Sequence, residues 1–200
     1  MDKKNLYIGW DIGGAHTKYT ISSDTRDIVE SRIILCELWK SLSQLEGIIK
    51  SIDIKYRKKF HIINLISMSA EMCDIFSSRR EGVKAILSLF ENKGFINHIY
   101  SKDNGILKFQ GFKKYPSLAS TNWMAIPDYL KNMDKNIIAI DIGSTTTDIV
   151  LIKNHICINK RHDDYSGLNT KELLYTGVLR TPIYSVINTL NLNKRVYNVI

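Results

Sequence analysis

The sequence predicts an α/β fold of mixed sheets with flanking helices, built from two related halves. Three observations carry this. Asp-Ile-Gly occurs twice, at Asp11-Ile12-Gly13 and Asp141-Ile142-Gly143, each time closing an apolar run. Aligned on those aspartates, both copies read Asp-Ile-Gly-x-x-x-Thr and continue into a second β-prone stretch, which predicts strand, glycine turn and returning strand. Between the copies, helix-period segments alternate with strand-type runs.

In chain order, residues 6–12 and 15–22 read as paired strands around Gly13-Gly14, and residues 28–35 as a third. Leu38, Leu42, Leu45, Ile48, Ile49 and Ile52 recur at three- and four-residue spacing, so 38–53 is predicted as an amphipathic helix. Residues 61–67 form a buried-type strand. Val83, Ile86, Leu87 and Phe90 mark one face of a helix over 79–93. Asn104-Gly105 predicts a hairpin over 96–110. Residues 118–132 read as helical, with Pro127 starting a second helix or kinking the first. Strands follow at 136–142 and 146–158, with a turn at Asn154-His155. Residues 161–170 read as a polar loop, and Pro182 breaks the mixed final segment. The repeat sets the boundary: residues 1–135 form the first half and 136–200 the second.

Apolar residues make up 44% of the 200, enough for a real core. Lys and Arg exceed Asp and Glu by 28 − 20 = 8. The excess is scattered, with short clusters at Lys55–Lys59 and Lys113-Lys114, and reads as a solvated face rather than a nucleic-acid surface. Cys36, Cys73 and Cys157 have no paired spacing and predict neither disulfides nor a zinc site. The first residues suit neither a signal peptide nor a membrane span, so a cytoplasmic location is the expectation.

The repeated turn carries the chemistry. Glycine lets backbone N–H groups approach a phosphate closely. The phosphate-binding candidates are Gly13, Gly14 and Thr17 in the first turn, and Gly143, Ser144, Thr145 and Thr146 in the second. Asp11 and Asp141 end their strands as candidate ligands of Mg²⁺, held largely through water. Lys18 and Asp148 occupy equivalent positions after the turns; one could neutralise phosphate charge, the other accept a proton or anchor metal-bound water. His16 could donate to phosphate or act as a base, or be a turn histidine facing water. Glu71 and Asp74, three apart, would share a face if a helix has begun there, as metal or amine ligands or as dipole-favouring carboxylates. Arg79 could grip a second anion or sit on a solvated helix. Asn122, beside Trp123, and Arg180, between a glycine turn and Thr181-Pro182, complete the substrate-binding candidates.

The double turn resembles the phosphate loops of the actin, sugar kinase and heat-shock chaperone ATPase superfamily, which implies an actin-like (ribonuclease H-like) fold of two lobes. The blocks Gly9–Lys18, Ser67–Asp74 with Arg79–Val83, Thr121–Ala125, Asp141–Asp148 and Glu172–Pro182 are similar to the hydantoinase/oxoprolinase-related proteins of tetrahydromethanopterin-linked one-carbon metabolism. They cover nearly the whole chain in order. The resemblance implies a magnesium-dependent transferase of methanofuran-type cofactor synthesis. Its substrates would be small: an aminomethylfuran diphosphate and the phenol of a γ-glutamyl-tyramine unit, with pyrophosphate released. The alternatives are an ATP-dependent hydrolase or kinase-like relative and an actin-like ATP-binding regulator. Nothing after Asp148 matches the glycine-rich segment that closes over adenosine in that superfamily. ATP is therefore the weaker cofactor candidate, and the second lobe is expected to be truncated. A truncated lobe predicts apolar sheet surface that a second copy or a partner would cover.

Overall fold

A computed structural model describes residues 3–91, 93–109 and 115–198. Two compact units divide the chain, residues 1–125 and 126–200. Lys113 and Lys114 lie outside the described residues, as does the end of the 96–110 hairpin at residue 110.

The first unit is built on a six-stranded sheet. Its strands are β1 (Lys4–Ile12), β2 (His16–Ser23), β3 (Ile28–Leu35), β4 (Phe60–Met68), β5 (Ile96–Ser101) and β6 (Gly105–Lys108), in the order β3-β2-β1-β4-β5-β6. β2 is antiparallel to both β1 and β3, whereas β1, β4 and β5 run parallel. That order and set of directions is the ribonuclease H-like arrangement that the resemblance implies. The parallel pairs need crossovers, and α1 (Ser43–Tyr56) and α2 (Arg79–Ser88) supply them.

Alternation along β1 buries Leu6, Ile8, Trp10 and Ile12. They join Ile62, Ile66 and Met68 of β4, Leu45, Ile49 and Ile52 of α1, and Val83, Ile86 and Leu87 of α2 in one core. The core contains a polar relay. Trp10 Nε1 donates to Asn64 Oδ1 at 2.9 Å, Asn64 Nδ2 to Asn97 Oδ1 at 2.8 Å, and Asn97 Nδ2 to the Phe90 carbonyl at 2.9 Å. Each buried amide thereby meets a partner.

α1 begins at Ser43, later than the apolar spacing from Leu38 suggests. The Leu38 N–H donates instead to the Gly14 carbonyl at 2.9 Å, which commits that backbone outside the helix. Cys36 is buried, Cys73 and Cys157 are half-buried, and all three are free.

Glu30 ties β2, β3 and α1 together. Its carboxylate accepts from Tyr19 Oη at 2.8 Å, Lys55 Nζ at 2.7 Å and Tyr56 Oη at 3.3 Å. The Lys55 ammonium and then the Tyr19 hydroxyl hold its carboxyl down to about 2, against an ordinary 4.5. The folded value is the lower one, so this stabilisation is complete above about 4.5 and is lost as the pH falls toward 2. Glu30→Gln is expected to cost roughly 1 kcal/mol at neutral pH, allowing for solvent screening. The difference from the unsubstituted chain should shrink across that acid window in denaturant melts.

The second unit carries β7 (Asn136–Ile142), β8 (Thr147–Lys153), β9 (Ile156–Cys157) and β10 (Leu173–Leu174), in the order β10-β8-β7 with β9 also on β8. β11 (Thr189–Leu192) and β12 (Arg195–Asn198) form a separate hairpin. α3 (Asn122–Leu130) contains Pro127 and spans the division between the units. Ile138, Ile140 and Ile142 of β7 are exposed.

The polar stretch expected to be a loop contains α4 (Asp164–Thr170). A capping box forms it: Asp163 Oδ1 accepts the Ser166 N–H at 2.7 Å and Ser166 Oγ accepts the Asp163 N–H at 3.0 Å. The helix has little apolar periodicity, so its signal lies in its cap. Among the described residues no helix is long and apolar enough to cross a membrane.

Candidate functional site

Each Asp-Ile-Gly copy forms the hairpin that its spacing predicts. In the first, Asp11 lies opposite Lys18 and Ile12 opposite Thr17; in the second, Asp141 lies opposite Asp148 and Ile142 opposite Thr147. The turns close alike. The Gly13 N–H donates to the His16 carbonyl at 3.0 Å, and the Gly143 N–H to the Thr146 carbonyl at 2.8 Å. A Cβ at Gly13 would stand 2.9 Å from the His16 oxygen, so only glycine leaves that closing bond undisturbed.

A second shared device was not legible in the sequence. A later segment lies across each turn and donates main-chain N–H groups to its carbonyls. On the first turn, Cys36 N–H meets the Ala15 carbonyl and Leu38 N–H the Gly14 carbonyl, both at 2.9 Å. On the second, Val178 N–H meets the Gly143 carbonyl at 3.0 Å, while Leu179 and Arg180 N–H both meet the Ser144 carbonyl, at 3.1 and 3.0 Å. These straps consume the carbonyl oxygens, which would repel an anion. The N–H groups of Ser144, Thr145 and Thr146 form no hydrogen bond among the described residues. Successive unpaired N–H groups in a turn are the donor set that an anion-binding concavity requires.

The first turn sits at the carboxyl ends of parallel strands, where open α/β sheets bind ligands. Ser69 N–H donates to the Ile12 carbonyl at 3.0 Å and Thr121 N–H to the Met68 carbonyl at 2.9 Å, which brings the segments after β4 and before α3 to this end of the sheet. Cys73 Sγ would stand 3.1 Å from a Cβ on Gly14. Burial, and then the charges of Glu71 and Asp74, push the Cys73 thiol up, so it is not a thiolate nucleophile. His16 is half-buried in the turn, and Asn122 is half-buried at the start of α3.

Several candidates have other work. Thr17 is enclosed on the core side of β2, so its hydroxyl is not presented at the turn. Its counterpart Thr147 donates through Oγ1 to the Thr176 carbonyl at 2.6 Å. Lys18 Nζ donates to Asp11 Oδ2 at 2.9 Å. Asp148, expected as a base or an anchor for metal-bound water, is ion-paired with the Arg161 guanidinium, which also reaches Asp164 Oδ1 at 2.9 Å. Burial pushes the Asp148 carboxyl up against the opposing pull of Arg161.

Glu71, expected as catalytic, is 1% exposed. Its Oε1 accepts both the N–H and the Oγ of Ser120, at 2.8 and 2.9 Å. It sits in a 3-10 turn that ends at Met72, so Asp74 does not share its face and is exposed instead. Arg79 is exposed at the start of α2, with Nη2 3.3 Å from Met72 Sδ.

The carboxylates of the two turns differ. Asp11 Oδ1 is enclosed with no hydrogen-bond partner among the described residues. The Asp141 carboxylate is exposed and makes no hydrogen bond or ion pair among them. No three His, Cys, Asp or Glu among the described residues gather as a protein-only metal cage. Magnesium does not require one, since it keeps several waters and takes one or two carboxylates beside phosphate oxygens. Asp11 in the first unit and Asp141 in the second each offer one such carboxylate at the turn that follows.

Two archaeal synthases are similar to this chain. Both carry the name (4-{4-[2-(gamma-L-glutamylamino)ethyl]phenoxymethyl}furan-2-yl)methanamine synthase. The protein of Methanocaldococcus jannaschii is 31% identical over 201 residues, covering 98% of this chain and 58% of its own length. That of Methanococcus vannielii is 41% identical over 70 residues, covering 34% of this chain and 31% of its own. The chain therefore spans less than two thirds of the length of either relative. No protein-family model matches it. Solved structures with a similar backbone include an exopolyphosphatase of Cytophaga hutchinsonii, with a TM-score of 0.47 at 10% identity over 84% of this chain and 53% of that one. Another is a Ppx/GppA phosphatase of Aquifex aeolicus, with a TM-score of 0.43 at 12% identity over 78% of this chain and 50% of that one.

Proposed function

We propose that this chain serves a transferase that joins an aminomethylfuran diphosphate to the phenol of a γ-glutamyl-tyramine unit, releasing pyrophosphate, in methanofuran-type cofactor synthesis. The observation that carries the reading is the match of 98% of the chain to a synthase whose named product contains a phenoxymethylfuran ether. The two strapped turns support it, because a diphosphate ester needs an anion cradle. The relation to hydantoinase/oxoprolinase proteins and a cytoplasmic location belong to the same proposal.

The phenol oxygen forms a bond to the furan methylene carbon. The bond from that carbon to the diphosphate oxygen breaks, and pyrophosphate leaves with the electron pair. The phenol proton goes to a base, which is needed because an unperturbed phenol titrates near ~10. His16 is the residue proposed for that proton, since Asp148 is held by Arg161 and Glu71 by Ser120. Asp11 and Asp141 are the carboxylates proposed to hold magnesium, each at its own turn, and the ion would supply positive charge to the leaving group. The turn N–H groups add fixed donors to the same oxygens.

The test is incubation with Mg²⁺, a furfuryl diphosphate analogue and a tyramine-type phenol, following pyrophosphate and ether product, with ATP and phosphate release followed separately. Pyrophosphate and ether without ATP turnover are expected. ATP turnover without pyrophosphate release would favour the hydrolase or kinase-like reading. Tight ATP binding without any turnover would favour the regulator.

A further inference from the structure

We infer that Arg180 binds the anion taken by the second hairpin turn, and that this anion is a diphosphate. The inference deepens the transferase reading and rests on it. Its basis is the strap. The Arg180 N–H itself donates to the Ser144 carbonyl at 3.0 Å, so its main chain is fixed directly on the cradle. Gly177 lets the strap lie this close to the turn: a Cβ there would lie 2.4 Å from Thr145 N and 2.5 Å from the Ser144 carbonyl carbon. Thr147 Oγ1 holds the preceding Thr176 carbonyl. The strap is thus pinned along residues 176–180, and its last residue is an arginine.

The Arg180 guanidinium is exposed and forms no hydrogen bond or ion pair among the described residues. Asp148, on the neighbouring strand, already has its cation in Arg161 and does not need Arg180. The first strap differs. It offers Cys36 and Leu38, both fully buried, and Glu37, which pairs with Lys40 at 2.9 Å. Of the two straps, only the second carries an arginine among the residues that grip its turn. A guanidinium matches phosphate oxygens two at a time. A diphosphate offers enough oxygens to engage the turn N–H groups, a magnesium ion and this fork together.

Inorganic pyrophosphate with Mg²⁺ is the probe, titrated calorimetrically into the unsubstituted chain and into Arg180→Ala, Arg180→Lys and Asp141→Ala. Arg180→Ala is expected to weaken binding roughly tenfold or more, from the loss of charge-assisted hydrogen bonds. Arg180→Lys should recover part of the loss, and the melting temperature should not change. Arg180→Ala binding pyrophosphate as tightly as the unsubstituted chain would overturn the inference. If Asp141→Ala still weakens binding in that case, the transferase reading stands without the arginine. Loss of γ-glutamyl-tyramine binding with pyrophosphate binding intact would instead assign Arg180 to a carboxylate, and also overturns the inference. No pyrophosphate binding by the unsubstituted chain would overturn both.

Discussion

Gly177→Ala is expected to abolish pyrophosphate binding and destabilise the second unit, although it adds a single methyl group. That methyl would lie 2.4 Å from Thr145 N, 2.5 Å from the Ser144 carbonyl carbon and 2.6 Å from its oxygen. All three are main-chain atoms of the turn, so no side chain can swing aside. Either the strap lifts, breaking the Val178, Leu179 and Arg180 bonds to Gly143 and Ser144, or the turn deforms. Overpacking of this kind costs about 1–3 kcal/mol and sometimes more. Gly9→Ala is the control, because its Cβ would meet nothing within 4 Å. Calorimetric titration with pyrophosphate and thermal melts of both variants make the comparison. Equal binding by Gly177→Ala and Gly9→Ala would show that the strap does not shape the cradle.

Glu71→Ala is expected to destabilise the first unit by about 3 kcal/mol, through loss of a buried acceptor that serves two donors. Glu71 Oε1 holds both the N–H and the hydroxyl of Ser120, a residue with φ of 51°. Without the carboxylate that buried N–H loses its partner while the backbone keeps a left-handed conformation that non-glycine residues rarely adopt. Glu71→Gln keeps an acceptor for Ser120 and should recover most of the loss. Ser120→Gly should be milder than Glu71→Ala, because glycine accepts the positive φ. Denaturant melts of the three variants give the ranking. A Glu71→Ala chain as stable as Glu71→Gln would mean that the carboxylate does not hold this corner.

The hairpins were legible because their determinants are local. Aspartate, glycine and threonine at fixed spacing define a strand end, a turn and an inward-facing residue, and Asp11–Thr17 and Asp141–Thr147 fold as that pattern predicts. The same period misleads about function. Two-residue alternation places Thr17 and Thr147 on the inner side, where one is enclosed and the other bonds a main-chain carbonyl. The sequence also could not reveal which carboxylates were already engaged. Arg161 reaches Asp148 from beyond the β8–β9 turn, and Ser120 reaches Glu71 across a long span of chain. Such pairings depend on tertiary register, not on spacing. The straps are hidden for a different reason: they bind through main-chain N–H groups, which every residue but proline possesses. Only Gly177 betrays one of them, through what it lacks.

Because each strap grips its turn through main-chain N–H groups, the gripping and the choice of guest are written in separate alphabets. Side chains at 178–180 are exposed and can be exchanged while the scaffold keeps its shape. The second strap can thus carry a cationic tooth while its twin turns Cys36 and Leu38 into the core, and one copy of a repeated module can acquire a taste without being rebuilt.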